Sequence, residues 1–209
     1  MRFTDRRDAG RRLAPRVAAL NLTDPVVLAL PRGGVPVAAP IAAALAAPLE
    51  VFVARKVGLP EQPEFGIGAI AEGLAEPVVY AHAPRIRERT WRELTAAART
   101  ELERRVARYR GDRALPPLAG AEVVLVDDGL ATGVTAEASV RGLRSYGPAR
   151  VVLAVPVAAP DTAERLAAEV DDLIAILTPR HFEAVGIWYE DYRQTGDDEV
   201  LALLAGAAS

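Results

Sequence analysis

Short apolar runs alternate with segments of helical periodicity along most of the 209-residue chain. The runs are rich in β-branched residues and end at Pro, Gly or charged residues, as buried strands of a parallel sheet do. They predict strands at residues 25–31, 49–56, 121–128, 149–158 and 171–177. Helical patterns fill intervals between the runs, at residues 35–47, 135–147 and 160–170. This alternation predicts an α/β fold with an open, mostly parallel, twisted sheet flanked by helices.

Three segments depart from the alternation. Residues 57–77 are punctuated by Pro and Gly, which predicts a mobile loop before a strand or hairpin within 67–80. Residues 84–110 predict a long helix rich in Arg and Glu, with a solvated face. The aromatic-rich stretch 179–209 is expected to form a small hood with the other chain terminus. We expect a single domain over residues 1–209, with its core at about 22–178 and this hood at about 179–209.

Composition narrows the class of protein. Hydrophobic residues make up 51% of the chain and charged residues 25%, which is typical of soluble globular proteins. The net charge of −3 disfavours a dedicated nucleic-acid binder, and the lack of Cys excludes disulfides, thiolate zinc sites and a Cys nucleophile. We see neither a signal peptide nor an apolar run of membrane-spanning length. A cytoplasmic protein is expected, with neither nucleic acid nor a membrane as its partner.

Candidate chemistry follows three of the predicted strands. These segments are LPRGG at 30–34, ARK at 54–56 and DDGLATGVT at 127–135. In an open parallel sheet, ligands bind beyond the carboxyl ends of the strands. LPRGG and DDGLATGVT are turns that can offer backbone N–H groups to anions, and ARK offers two cations. Together they predict a pocket for a ligand with separate anionic groups.

Asp127 and Asp128 stand side by side at the start of the third segment. Ionised carboxylates only accept hydrogen bonds, so the pair suits a partner rich in hydroxyl donors, such as a sugar cis-diol, or a hydrated metal ion. The turn that follows offers phosphate its backbone N–H groups and the hydroxyls of Thr132 and Thr135. A phosphorylated pentose satisfies both halves of the pattern.

The stretch VVLVDDGLATGVT, at residues 123–135, resembles the 5-phosphoribosyl-1-diphosphate (PRPP) binding motif of the type I phosphoribosyltransferases. LPRGG resembles the pyrophosphate loop of that family, and ARKVGLP resembles the Arg-Lys pair before its flexible catalytic loop. The similarity in strand order and spacing extends over residues 25–160. The chain is also similar throughout to a group of bacterial phosphoribosyltransferases, themselves predicted, whose base substrate is not assigned.

The resemblance implies a role for each motif. Asp127 and Asp128 would bind the ribose hydroxyls, and the 5′-phosphate would be bound by Ala131, Thr132, Gly133, Val134 and Thr135. Pyrophosphate would be held by Arg32, Gly33, Gly34, Arg55 and Lys56. The expected catalytic residues are Lys56, Arg32 and Asp128. A cis peptide bond is expected between Pro31 and Arg32, as in many members of the family.

The implied activity is a Mg²⁺-dependent transfer that joins a nitrogenous base to PRPP and releases pyrophosphate, as in nucleotide salvage. The ion would be carried by PRPP, with Asp127 or Asp128 as the protein contact. Two alternatives remain open: a PRPP-sensing regulatory protein without turnover, and a hydrolase or phosphorylase-like enzyme acting on a nucleotide. The presence of Lys56 and of a full pyrophosphate loop favours catalysis. A homodimer is compatible with the resemblance.

The base is the part of the substrate that the sequence leaves open. Trp188 and Tyr189 are candidates for stacking on it, and residues 58–65 are a candidate lid that excludes water. Ala131 stands where members that act on 6-oxopurines have Asp, which argues against guanine and hypoxanthine. The hood does not resemble that of the adenine enzymes, so adenine is not assigned either.

Overall fold

The computed structural model of the protein describes residues 1–59, 62–80 and 83–207. The strands, in chain order, are β1 Val26–Ala29, β2 Leu49–Val51, β3 Ala54–Leu59, β4 Gln62–Ala71, β5 Val78–Val79, β6 Glu122–Val126, β7 Arg150–Val157 and β8 Asp172–Leu177. The α-helices are α1 Arg6–Ala18, α2 Gly34–Leu45, α3 Glu88–Arg110, α4 Val134–Arg144, α5 Pro160–Ala167 and α6 Asp197–Ala207. A 3₁₀ helix spans Val185–Trp188. In these parts of the chain, no helix is both long and apolar enough to cross a membrane.

The central sheet pairs its strands in parallel, in the order β2-β1-β6-β7-β8. Its middle strands are apolar on both faces, and the whole run Val123–Val126 is inaccessible to solvent. Such continuous apolar strands are typical of a parallel sheet covered by helices on both sides. The predicted α/β class and its open, mostly parallel sheet are confirmed.

The strand order reverses between β1 and β6. Alternate residues of both strands point to opposite faces, so Val27 and Val124 share one hydrophobic core, while Leu28 and Leu125 share another. Helices α1, α2 and α6 cover the first face, and α4 and α5 cover the second. The loops after β1 and β6 therefore diverge to opposite faces and open a crevice between them, which is where open α/β sheets bind ligands.

The strand predicted at 49–56 is wrong as a single element. Its first half is β2 in the central sheet, whereas its second half is β3 in a small antiparallel sheet of order β3-β4-β5. At the break, the N–H of Phe52 donates to the carbonyl of Ala29, whereas the N–H of Val53 turns to the carboxylate of Glu72, at 2.7 Å. A side chain 19 residues away thus redirects the backbone, and no Gly or Pro marks the change.

The candidate lid falls on the hairpin formed by β3 and β4. The structure assigns Gly58 and Leu59 to β3 and begins β4 at Gln62, with irregular register between Val57 and Leu59. Pro60 and Glu61, at the centre of the predicted segment, lie outside the described residues. The hairpin thus begins earlier than the expected range 67–80.

The hood is built from both chain termini, as predicted, but its N-terminal helix was not foreseen. Phe3 pairs with the C-terminal segment: its N–H donates to the carbonyl of Trp188 and its carbonyl accepts from Glu190, both at 2.8 Å. The carboxylate of Asp5 then caps α1 by accepting from the N–H of Asp8. Gly10 lets α1 approach α2 closely, since a Cβ there would lie 2.3 Å from the carbonyl oxygen of Val37.

Candidate active site

A cavity of about 220 Å³ lies along the loop that follows β6. Its lining includes both aspartates after β6, the whole loop that follows them, and a single Lys from the small sheet. The lining residues are Lys56, Asp127, Asp128, Gly129, Leu130, Ala131, Thr132, Gly133, Val134, Thr135, Ala136, Val185 and Tyr192. The structure therefore brings together the predicted ribose and phosphate motif and the predicted catalytic Lys56.

The turn after β1 packs directly against the aspartates. The peptide bond between Pro31 and Arg32 is cis, as expected from the resemblance. A Cβ on Gly33 would lie 2.1 Å from Oδ2 of Asp128, and one on Gly34 would lie 2.6 Å from the carbonyl oxygen of Val126. The backbone of β6 therefore leaves no room for a side chain at Gly34, whereas a side chain at Gly33 would displace the Asp128 carboxylate.

Asp128 is held from several directions. Its Oδ2 accepts a hydrogen bond of 2.8 Å from Nε of Arg6 and one of 3.1 Å from the hydroxyl of Tyr192. Its main-chain carbonyl accepts from the hydroxyl of Tyr189 at 2.6 Å. Its N–H donates to Oδ1 of Asp127 at 2.8 Å. Residues from both halves of the hood thus fix this carboxylate at the edge of the cavity.

Asp127 carries the most perturbed carboxyl group of the site. Burial raises its pKa well above the ordinary value of an aspartate, and the negative charge of Asp128 adds to the rise. The hydrogen bond from the N–H of Asp128 and the charges of Lys56 and Arg6 oppose the shift without cancelling it. Burial and the neighbouring negative charge thus both favour the protonated form of Asp127.

The loop at 131–135 is braced by helix α5. The hydroxyl of Thr162 donates to the carbonyl of Ala131 at 2.6 Å, and Nη2 of Arg165 donates to the carbonyl of Thr132 at 2.8 Å. Gly133 adopts a left-handed conformation with φ of 70° and lies against Thr162. Both contacts bind carbonyl groups of the loop and leave its N–H groups available. Helix α4 begins at Val134, and the first N–H groups of a helix have no helical carbonyl to bind. Such a loop is suited to an oxyanion.

Of the five residues predicted to hold pyrophosphate, Lys56 lines the cavity, and Arg32, Gly33, Gly34 and Arg55 do not. Lys56 is exposed and faces it, whereas Arg55 is half-buried in β3 and is absent from its lining. The guanidinium of Arg32 lies 3.5 Å from a carboxylate oxygen of Asp197, at the start of α6. Asp197 also pairs with Arg108 and accepts from the hydroxyl of Tyr109. The hood therefore contacts the predicted pyrophosphate loop as well as Asp128.

The two candidate base-stacking residues lie beside the cavity without lining it. Tyr189 is 4% exposed, and its ring packs between those of Phe3 and Tyr192, with centroids at 5.4 and 5.2 Å. Trp188 is half-buried and packs against the same small cluster. Among the hood residues, Val185 and Tyr192 reach the cavity.

Arg6, Tyr192 and Asp197 were not predicted as part of the site. Arg6 stands among several similar residues in MRFTDRRDAGRR, where nothing in the sequence distinguishes it. Tyr192 belongs to the aromatic-rich stretch singled out above, so composition indicated its segment but not the residue. A helix could have been read from the Asp5 cap and the apolar residues at 9, 13 and 17, and it would have placed Arg6 in the first turn.

Comparisons with known proteins agree with this geometry. The family model of the phosphoribosyl transferase domain matches residues 5–186. Two proteins of Mycobacterium tuberculosis, whose names place them provisionally among the phosphoribosyl transferases, are each 45% identical over 206 residues. That alignment covers 97% of this chain and 46% of theirs, so the chain spans about half the length of the curated relatives it matches.

Solved structures give the same picture of the fold. TT1426 from Thermus thermophilus is 45% identical, with a TM-score of 0.84, and the match covers 100% of both chains. AQ2163 from Aquifex aeolicus is 15% identical, with a TM-score of 0.54 over 95% of this chain and 86% of that one. The second likeness is one of fold alone, whereas the first extends to the sequence.

Proposed function

The chain belongs to the phosphoribosyl transferase family, and from this we propose that it transfers the 5-phosphoribosyl group of PRPP to a nitrogenous base and releases pyrophosphate. One observation carries the proposal. The aspartate pair, the loop at 131–135 and Lys56 line one cavity, and the glycines of the turn after β1 pack against its aspartates. Each of these groups complements a different part of PRPP.

Ribose and 5′-phosphate occupy the β6 side of this site. The free carboxylate oxygens of the aspartate pair accept from the ribose hydroxyls, and the N–H groups at the start of α4 bind the phosphate. The hydroxyls of Thr132 and Thr135 add donors to that phosphate. These contacts fix the sugar while its anomeric carbon remains open to attack, which reduces the entropic part of the barrier.

In the reaction, the bond between the anomeric carbon and pyrophosphate oxygen breaks, a bond to a ring nitrogen of the base forms, and the proton of that nitrogen passes to the released pyrophosphate. The breaking bond leaves its electron pair on pyrophosphate, while positive charge develops on the sugar ring. Lys56 and Arg32 stabilise the charge that accumulates on the leaving group. Since this charge is greatest in the transition state, their effect is greater on turnover than on binding.

Magnesium fits this site as a companion of the substrate. Among the described residues, no group of three or more His, Asp, Glu or Cys side chains could hold a metal. Asp127 and Asp128 supply carboxylate oxygens at the cavity, which suits a Mg²⁺ ion that keeps waters and phosphate oxygens as its other ligands. When bound, the ion neutralises charge on the pyrophosphate.

The base occupies the hood side of the cavity in this proposal. Val185 and Tyr192 offer it an apolar and an aromatic surface, and Tyr189 packs against the ring of Tyr192 and belongs to the same small cluster as Val185 and Trp188. The absence of a carboxylate at Ala131 favours a base other than guanine or hypoxanthine, according to the family resemblance.

A screen of bases tests the function. Purified protein, PRPP and Mg²⁺ are incubated with single purines, pyrimidines and other heterocycles, and pyrophosphate release is measured. We expect release with one class of base and a much slower release without a base. PRPP binding without release for any base would instead indicate a regulatory protein, and release independent of a base would indicate a hydrolase. Failure to bind PRPP in calorimetry would refute the proposal.

A further inference from the structure

We propose that Arg6 is a positioning residue for Asp128: the N-terminal helix binds one oxygen of this carboxylate and so presents the other oxygen to the ligand. The inference rests on the proposed function, since it assigns the presented oxygen to a ribose hydroxyl. It adds a residue that lies outside the phosphoribosyl motifs and outside the loops that follow the strands.

The guanidinium of Arg6 is fixed by three contacts. Its Nε donates to Oδ2 of Asp128 at 2.8 Å, and its Nη1 donates to the carbonyl of Arg193 at 2.7 Å. Its central carbon lies 4.0 Å from the ring centroid of Tyr192, a distance at which a cation and an aromatic ring attract. The three partners come from the β6 loop and the C-terminal segment, so Arg6 connects regions that are distant in the sequence.

The pair is shielded from water. The side chain of Arg6 is 11% exposed and that of Asp128 is 14% exposed. Exposed ion pairs contribute little, but a shielded pair that loses one partner leaves an uncompensated charge. The contact therefore has a much larger effect on the orientation of Asp128 than an ordinary surface salt bridge would have.

The two carboxylate oxygens of Asp128 differ in their surroundings. Oδ2 accepts from both Arg6 and Tyr192, while Oδ1 accepts no hydrogen bond from any residue in the described parts of the chain. The carboxylate lines the cavity. An ionised carboxylate has capacity for several donors, so Oδ1 is left to bind a hydroxyl of the ligand.

Without Arg6, no cationic side chain among residues 1–59, 62–80 and 83–207 binds Oδ2, which keeps only the hydroxyl of Tyr192. The carboxylate would then rotate, and its repulsion from Asp127 would no longer be offset by the guanidinium. Binding of the ribose would have to include the cost of ordering Asp128. Removal of a residue that acts in this way weakens PRPP binding only as long as the Asp128 carboxylate is present.

The experiment is a double-mutant cycle in PRPP affinity. Isothermal titration calorimetry with PRPP and Mg²⁺ is performed on the unmodified protein, Arg6→Gln, Asp128→Asn and the double variant. Arg11→Gln is the matched control, because Arg11 lies on the same helix and is 63% exposed. We expect Arg6→Gln to weaken binding about tenfold or more, by the scale of a charged hydrogen bond, and the control to have no effect. In the Asp128→Asn background, the Arg6 substitution should change affinity less than about twofold.

Two results would overturn the inference. The same loss from Arg6→Gln in both backgrounds would show that Arg6 acts independently of Asp128. Tighter binding by Arg6→Gln would show that Arg6 competes with the ribose for the carboxylate. Arg6→Lys, which keeps the charge without the rigid guanidinium, should give an intermediate affinity, and it serves if Arg6→Gln does not fold. If the unmodified protein fails to bind PRPP, or Asp128→Asn binds it normally, the proposed function fails instead.

Discussion

The hydroxyl of Tyr189 donates a 2.6 Å hydrogen bond to the main-chain carbonyl of Asp128, from a ring that is 4% exposed. Tyr189→Phe removes this donor without changing the packing of the ring. We expect the free energy of unfolding to fall by about 1 kcal/mol, measured by urea denaturation. Tyr192→Phe is the comparison, because that residue is 38% exposed and water can replace its hydroxyl. Equal losses in the two variants would contradict this prediction.

The raised pKa of Asp127 predicts a pH-dependent stability. The folded protein binds more protons than the unfolded chain between the ordinary aspartate pKa, near 4, and the raised value. Stability therefore falls as the pH rises through this interval, by up to about 1.4 kcal/mol per pH unit. Asp127→Asn removes the effect, so its melting temperature should exceed that of the unmodified protein at pH 7 and match it below pH 4.

The control for this titration is Asp112→Asn, in the exposed loop after α3. Its melting temperature should follow that of the unmodified protein at every pH. If the curves of Asp127→Asn and the unmodified protein stay parallel from pH 4 to pH 8, Asp127 is not the group responsible.

Lys56 is exposed at the cavity, where its charge can meet the leaving group. Lys56→Ala should lower kcat more than it raises KM for PRPP, because the interaction strengthens as the bond breaks. Steady-state kinetics with the base identified in the screen measures both constants. An effect confined to KM would make Lys56 a ground-state contact for PRPP.

The buried pair of Glu72 and Arg110 joins the two sheets. Nη1 and Nη2 of Arg110 each donate to Glu72 at 2.8 Å, and Nη2 also donates to the carbonyl of Val51. Arg110→Met leaves the Glu72 charge buried and should cost about 3 to 5 kcal/mol in chemical denaturation. Arg92→Met, which breaks an exposed helix pair with Glu88, should cost less than about 1 kcal/mol.

A second variant separates charge from packing at this position. Glu72→Gln combined with Arg110→Met removes both charges, so it should recover part of the loss of the single variant. A double variant that is as unstable as Arg110→Met would show that packing, and not the unpaired charge, sets the cost.

The close approach of Gly33 to Asp128 predicts a large effect of one methyl group. In Gly33→Ala, the added carbon would overlap Oδ2, so the carboxylate must move away from Arg6. We expect PRPP affinity to fall by about tenfold or more in calorimetry. Gly196→Ala is the matched control, since nothing lies within 4 Å of the added carbon there. Unchanged affinity in Gly33→Ala would mean that the two loops separate at little cost.

The central sheet and the aspartate motif were predictable because local sequence determines them. Runs such as Val151–Val155 are buried on both faces and need no distant information to be recognised as strands. The motif at 123–135 concentrates in one stretch the residues that line most of the cavity.

The remaining features depend on contacts between distant residues. The break between β2 and β3 is set by Glu72, and the role of Arg6 is set by Asp128, 122 residues along the chain. In the sequence, Glu72 and Arg6 look like ordinary surface charges. The stacking candidates Trp188 and Tyr189 were chosen by aromatic content, which also describes a small core and does not tell which ring reaches the cavity.

The pairing of residues that are distant in the sequence has a consequence for biosynthesis. Phe3 and Arg6 emerge from the ribosome long before Trp188 and Tyr192, yet they meet in the folded protein. Parallel strands and helices preceding residue 180 can associate earlier, but Asp128 cannot acquire its complete set of partners until residue 192 has left the exit tunnel. A nascent chain halted before that point would therefore carry the phosphoribosyl motif in a sheet without a hood, and ligand recognition would begin only at the end of this segment's synthesis.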